Sequence, residues 1–143
     1  MRTVVLNDPR DRVLDSYTLL AYLENEAGAL HVKSLLGQAE TGPSHLWMSI
    51  INLGEVLYII ERERGVAHSR NVLAAVEQLP VDMVIADRAH TLSAAHIKAR
   101  FPLSYADAFA AALAQIKGVP LVTGDEEFSR VESFVAIEWL PRR

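Results

Sequence analysis

The sequence has no cysteine, which excludes disulfides, thiol catalysis and thiolate zinc sites and fits a reducing cytoplasm. No apolar run approaches the ~20 residues that a membrane span needs. The N-terminus lacks the basic region followed by an apolar stretch that marks a secretion signal. Neither familiar Gly-rich phosphate loop is present. The five histidines, His31, His45, His68, His90 and His96, show no i,i+4 pair, so a His-based zinc centre is not expected. They read as surface or as satisfied core. Positive charge is scarce as well: 14 Lys and Arg stand against 18 Asp and Glu, a net charge of −4. That excludes an affinity resting on a broad basic surface. A polyanion would need some other attraction.

What is present is the material of a core. Half of the 143 residues are hydrophobic, enough for one domain that buries roughly two-thirds of its unfolded surface. Residues 12–15 read as a short strand running into a helix over 16 to about 25, apolar at Leu19, Leu20 and Leu23. Gly28 separates a second helix, apolar at Leu30, Leu35, Leu36 and Ala39, which Thr41-Gly42-Pro43 stops. A strand over 45–49 leads into a helix over 50–64 ended by Gly65, and another helix covers 66–78.

Residues 81–86 read as an apolar strand, and Asp87 as the cap of a helix reaching about 100, with Leu92, Ala95, His96 and Ala99 along one side. Ser104 opens a helix over 105–117 that Gly118 closes; a strand over 119–123, a helical turn over 125–130 and a strand over 134–140 follow. Strands separated by helices imply right-handed crossovers. The prediction is a three-layer α/β/α domain over 12–143 on a central, mostly parallel sheet of about five strands. Residues 1–11 precede it as an extension or an edge strand, with 3–6 the candidate strand.

In such a sheet, ligand chemistry collects where strands end at their carboxyl side. Four acids stand at such junctions or in the first turns after them: Asp15, Glu55, Asp107 and Asp125. Each has an ordinary explanation. Asp15 could cap the helix it precedes, although Ser16 would serve equally. Glu55 sits in Ile51-Asn52-Leu53-Gly54-Glu55-Val56 on a helix apolar nearly all round, so burial is expected and its charge needs a partner, a proton or a metal. Gly54 beside it suggests close backbone approach. Asp107 could complete a capping box begun by Ser104, but the alanine-rich helix around it can lie tight on the sheet. Asp125 could cap the turn after Gly124, with the hydroxyl of Thr123 on the same rim. The four together say more than any one.

Carboxylates gathered within a few ångströms repel, and a hard divalent cation relieves them. Mg²⁺ or Mn²⁺ takes oxygen ligands beside a substrate phosphate and activates water for phosphodiester hydrolysis. Such a pocket also lets an acidic protein accept a polyanion. Asp15-Ser16-Tyr17 lacks the second aspartate of aspartyl-phosphate hydrolases. Arg62, Arg64, Arg70, Lys98 and Arg100 are candidates to steer a nucleic-acid backbone, although Glu61-Arg62-Glu63-Arg64 also reads as a solvated helix end.

Val13-Leu14-Asp15-Ser16, Ile51-Asn52-Leu53-Gly54-Glu55-Val56, Leu103-Ser104-Tyr105-Ala106-Asp107-Ala108 and Leu121-Val122-Thr123-Gly124-Asp125-Glu126-Glu127-Phe128 resemble, in order and spacing, the four motifs of PIN domains. The likeness to small bacterial VapC-type toxins covers about residues 12 to 140. It implies an endoribonuclease dependent on Mg²⁺ or Mn²⁺, with Asp15, Glu55, Asp107 and Asp125 as metal ligands and Thr123 assisting. Ser16, Arg62 and Arg64 become candidate substrate contacts. It also implies an RNA substrate, a homodimer, and a VapB-type antitoxin that places a basic side chain at the acids. The helical hairpin over 19–36 and the helix over 50–60 offer apolar surface for such partners. Two departures stand out: residues 1–11 precede the usual first strand, and Glu127 stands where many relatives carry Asp. Competing readings are a PIN nuclease acting in RNA maturation or on DNA, and a non-catalytic acidic module that binds a metal or a partner.

Overall fold

The computed structural model describes residues 8–142; the candidate strand over 3–6 lies outside them. Strand β1 (Arg12–Leu14) is followed by α1 (Ser16–Leu23) and α2 (Ala29–Thr41), β2 (Leu46–Ser49) by α3 (Ile50–Arg64) and α4 (Val66–Val76). Then come β3 (Asp82–Val84), α5 (Arg88–Arg100), α6 (Tyr105–Lys117), β4 (Leu121–Thr123), a 3-10 helix (Glu126–Val131) and β5 (Ile137–Trp139). The five strands pair in the order β3-β2-β1-β4-β5, every pair parallel.

Alternation along the strands sorts the core into layers. Val13 and Leu121 face α5 and α6, whereas Leu14, Leu46 and Val122 face α1 and α2, and Met48 faces α3 and α4. The expected three-layer sandwich is the observed one. No helix among the described residues is long and apolar enough to cross a membrane.

Helix α6 is buried along its middle, from Ala108 to Ala114 without interruption. Its alanines let it lie between α5 and the sheet with little room to spare. Caps fix α1, α5 and α6 where the sequence places them. Asp15 accepts from the Thr18 N–H at 2.9 Å, Asp87 from the His90 N–H at 2.9 Å and Ser104 from the Asp107 N–H at 3.1 Å.

Three expectations about faces change. The buried side of α5 is His90, Ala94 and Ile97, while Leu92, Ala95, His96 and Ala99 face outward. The reason is His90, whose Nε2 bonds the Phe109 carbonyl at 2.9 Å while its ring sits edge-on to Phe109; that bond lets a polar residue lead the inner face. Helix α3 is one-sided rather than apolar all round: Asn52, Leu53, Val56 and Ile60 are buried, and Tyr58 is half exposed. Leu30 on α2 stands almost fully in solvent, 82% exposed. Much of the apolar stripe over 19–36 and 50–60 is therefore core, Leu19, Leu35, Leu36, Val56 and Ile60 among it.

Candidate active site

All strands being parallel, their carboxyl ends share one edge, and the N-termini of the helices that follow open onto it. Asp15 caps α1, Asp107 lies in the first turn of α6, and Asp125 caps the 3-10 helix by accepting from the Glu127 N–H at 3.0 Å. Glu55 sits on the second turn of α3, half-buried rather than buried because that side of the helix faces the cleft and not the core. Gly54 is exposed and has open space where a Cβ would go, so no close approach explains it.

The four acids act on one another. Asp15 is 1% exposed, and burial raises its carboxyl to about 6. Hydrogen bonds from Thr123 and Thr18 work against that rise, and the Asp125 charge adds to it. Asp107 rises further, to about 7: burial is the main cause, followed by the charges of Asp15, Asp125 and Glu55. Coupling of this kind weakens with distance, so the four acids share one neighbourhood. One oxygen each from Asp107, Asp125 and Glu127 lies within 4.8 Å of the other two. Glu127 thus joins the cluster, a residue that the sequence leaves beside it without a role.

Thr123 organises the floor. Its hydroxyl donates to Asp15 Oδ2 at 2.5 Å and accepts from the Asp125 N–H at 3.0 Å, so one side chain sets two of the acids. Thr18 adds a bond from its hydroxyl to the Val122 carbonyl at 2.7 Å, locking α1 onto β4. Arg130 donates to the Pro102 carbonyl at 2.6 Å and ties the 3-10 helix to the segment leading into Asp107.

Asn52 escapes the sequence reading, and the only signal is a lone amide on an apolar helix. It is fully buried, its Nδ2 donates to the Ala106 carbonyl at 3.0 Å, and its own carbonyl accepts from Ser16 Oγ at 3.0 Å. One residue, three before Glu55, therefore joins the neighbours of Asp15 and Asp107. Its Oδ1 is buried with no partner among the described residues. Ser16 is spent in this contact and buried, which turns its hydroxyl away from the cleft. Arg62 and Arg64 lie at the other end of α3, about 10–13 Å along the axis from Glu55. Arg64 pairs with Glu24 at 2.6 Å, and Arg62 covers the Tyr58 ring at 5.1 Å. The structure does not bring these arginines to the acids.

An all-oxygen set of carboxylates, one of them pushed toward neutrality by burial and by the charges of its fellows, suits a hard divalent cation. The donor set fits. The family model for the PIN domain matches residues 12–133. No curated protein matches the chain by sequence. Among solved structures, a chain of VapBC2 from Rickettsia felis, bound to a DNA fragment from its promoter, superposes with a TM-score of 0.72 at 14% identity, covering 90% of this chain and 98% of that one. DNA-bound VapBC from Salmonella typhimurium gives 0.71 at 21% identity over 90% and 96% of the two chains. VapC20 of Mycobacterium tuberculosis, a toxin that cleaves the sarcin–ricin loop, gives 0.68 at 19% identity over 87% and 97%. Likeness at these identities is likeness of fold.

Proposed function

The chain belongs to the PIN-domain family, and on that premise we propose that it is a Mg²⁺- or Mn²⁺-dependent endoribonuclease acting as the toxin of a VapBC-type pair. The observation that carries the reading is that Asp15, Asp125 and Glu55 all act on Asp107 at one sheet edge, adding to the burial that raises it to about 7. Asp107 and Asp125 would hold the cation, with Asp15, Glu55 and Glu127 around them. Bound there, it supplies positive charge for the phosphoryl oxygens and lowers the pKa of water for attack on phosphorus.

The chain's own groups prepare this. Thr123 holds Asp15 Oδ2 and the backbone of Asp125, whose carboxylate in turn accepts from the Glu127 N–H, so both carboxylates are restrained. Ser104 fixes the first turn of α6 and with it Asp107. Asp107 carries its proton at acid pH and releases it near neutrality, where a cation competes for the same oxygens.

The VapBC relatives also support a partner. We assign it to a small VapB-type antitoxin whose apolar side chains would sit on the groove where Leu20 and Ile59 meet, rimmed by Glu26, Glu63 and the Glu24–Arg64 pair, while a basic side chain reaches the acids. The homodimer and a cytoplasmic site of action belong to the same reading. The test is cleavage of RNA with and without EDTA, beside Asp107→Asn and a single-stranded DNA control. Cleavage confined to RNA, abolished by chelation and by the substitution, is expected. Undiminished cleavage in excess EDTA would overturn the metal-dependent reading; co-expression with the adjacent small reading frame tests the partner.

A further inference from the structure

We infer that the cavity between the end of α5 and α6 is a nucleotide site, taking one base and its phosphate away from the acids. The inference stands apart from the nuclease reading and needs no metal. The cavity holds about 370 Å³, within the range of small-molecule sites. Buried Ile97 and the half-buried rings of Phe101 and Phe134 give it apolar walls, and His96, Arg100, Gln115 and Ser133 give it polar ones. Gln115 stands eight residues after Asp107 on α6, about 12 Å along the helix axis. Ser133 and Phe134 precede β5, so this wall lies toward the amino side of the sheet, whereas the acids lie at the carboxyl side.

Arg100 supplies the partner for an anion. Its guanidinium lies 5.8 Å from the Phe101 ring centroid and donates to His96 Nε2 at 3.4 Å. Arg12, Arg64 and Arg142 each hold a carboxylate, but among the described residues no acid pairs with Arg100. Its planar fork keeps N–H groups for a phosphate. Because a guanidinium only donates, His96 accepts through Nε2 and offers its Nδ1–H as a further donor. The apolar half suits a planar ring. Phe101 and Phe134 lie 5.2 Å apart at 35°, and contact with aromatic side chains adds affinity for any base. Gln115 beside them is exposed and carries a donor and an acceptor, the pair that reads adenine. A bare phosphate would leave the rings unused, and a wholly apolar ligand would cover Arg100 without a partner.

The test is calorimetric titration of the full chain with AMP, adenosine and inorganic phosphate, in EDTA to keep phosphate off any metal at the acids. AMP should bind about tenfold more tightly than adenosine or phosphate alone. Arg100→Ala should bring AMP down to the level of adenosine, and Arg100→Lys should restore part of the difference. Gln115→Ala should erase a preference for AMP over UMP, and Phe134→Leu should weaken AMP and adenosine alike. Thermal melts confirm that the variants fold; if Phe134→Leu does not, the exposed Arg100 decides the question alone.

AMP bound no better than phosphate, or bound equally well by Arg100→Ala, overturns the site. No AMP binding together with loss of antitoxin co-purification in Arg100→Ala overturns it too, and assigns the cavity to a protein. Cleavage assays then separate two sources of nucleotide. A raised KM for RNA in Arg100→Ala with kcat unchanged marks a nucleotide of the bound strand, and unchanged kinetics mark a free one; with AMP bound, either upholds the site. A wild type that cleaves no RNA overturns the nuclease reading, while AMP binding still decides the site.

Discussion

Two carboxylate neighbourhoods on the same sheet behave in opposite ways. Glu138 on β5 is gripped by Arg12 at 3.0 Å and His31 at 2.9 Å. Burial alone would raise its pKa, but those two hydrogen bonds and charges outweigh it and hold the carboxyl below its usual range. Across the sheet, Asp15 and Asp107 are raised to about 6 and about 7, with burial the main cause in each. Hydroxyls and backbone N–H groups orient the second set, but the charges acting on Asp107 are those of other acids. One carboxylate already has its cation and serves the fold. The other set has no cation beside it among the hydrogen bonds and charges that act on it, which is what the proposed metal would supply.

The largest effect expected from breaking that comparison is on chemistry. Asp107→Asn and Asp125→Asn should each reduce RNA cleavage by at least about a hundredfold in single-turnover assays. Glu138→Gln should leave the rate within about twofold. Equal losses at both places would erase the distinction.

Next comes the joint beneath the acids. Asn52→Ala removes the amide that spans α3 and α6, and should cost about 1–3 kcal/mol in urea unfolding. It should also lower cleavage, because Glu55 and Asp107 lose their common anchor. A variant as stable as wild type would deny Asn52 that role.

Smaller, but diagnostic in sign, are the pH profiles of thermal stability without metal. An unfolded Asp titrates near about 4, while folded Asp107 titrates at about 7. Between these the folded state keeps a proton that the unfolded state has lost, so this group's stability is present at low pH and falls as pH rises through about 7. Asp107→Asn should therefore raise Tm by a few degrees at pH 8 and by nothing near pH 4. Glu138 runs the other way: its contribution is present above the usual carboxylate range and is lost as pH falls through its lowered pKa. Glu138→Gln should cost about 1 kcal/mol at neutral pH, and less in acid. Calorimetric melts across that range check both signs.

The sequence made element order legible because capping residues stand at the helix ends. Ser104 and Gly118 bracket α6 at the expected residues, and Asp87 opens α5. The proposed acids stand out for a related reason, as charges at strand ends and in the first turns of helices, and the structure brings their charges to bear on Asp107. Faces were harder. Leu92, Ala95 and Ala99 make a plausible apolar stripe, but α5 turns His90 inward because the Phe109 carbonyl is there to receive it. Such a partner lies 19 residues away and leaves no local signature. Asn52 escapes the sequence in the same way, and the place of Glu127 stays open there, because each depends on segments that meet only in the fold. The two glycines divide in the same manner: Gly54 has nothing over it, whereas at Gly124 a Cβ would meet the Tyr17 ring, which would have to swing aside.

That the sheet edge is built for a divalent cation is tested most directly by melting the protein with and without Mn²⁺ at pH 5 and pH 8. Binding to the folded state alone raises Tm with ligand concentration, and protonation of Asp15 and Asp107 competes with it. The wild type and Glu138→Gln should both gain several degrees at pH 8, little at pH 5, and Asp107→Asn should gain almost nothing at either. A shift absent from the wild type at pH 8, or equal in Asp107→Asn, would contradict the account.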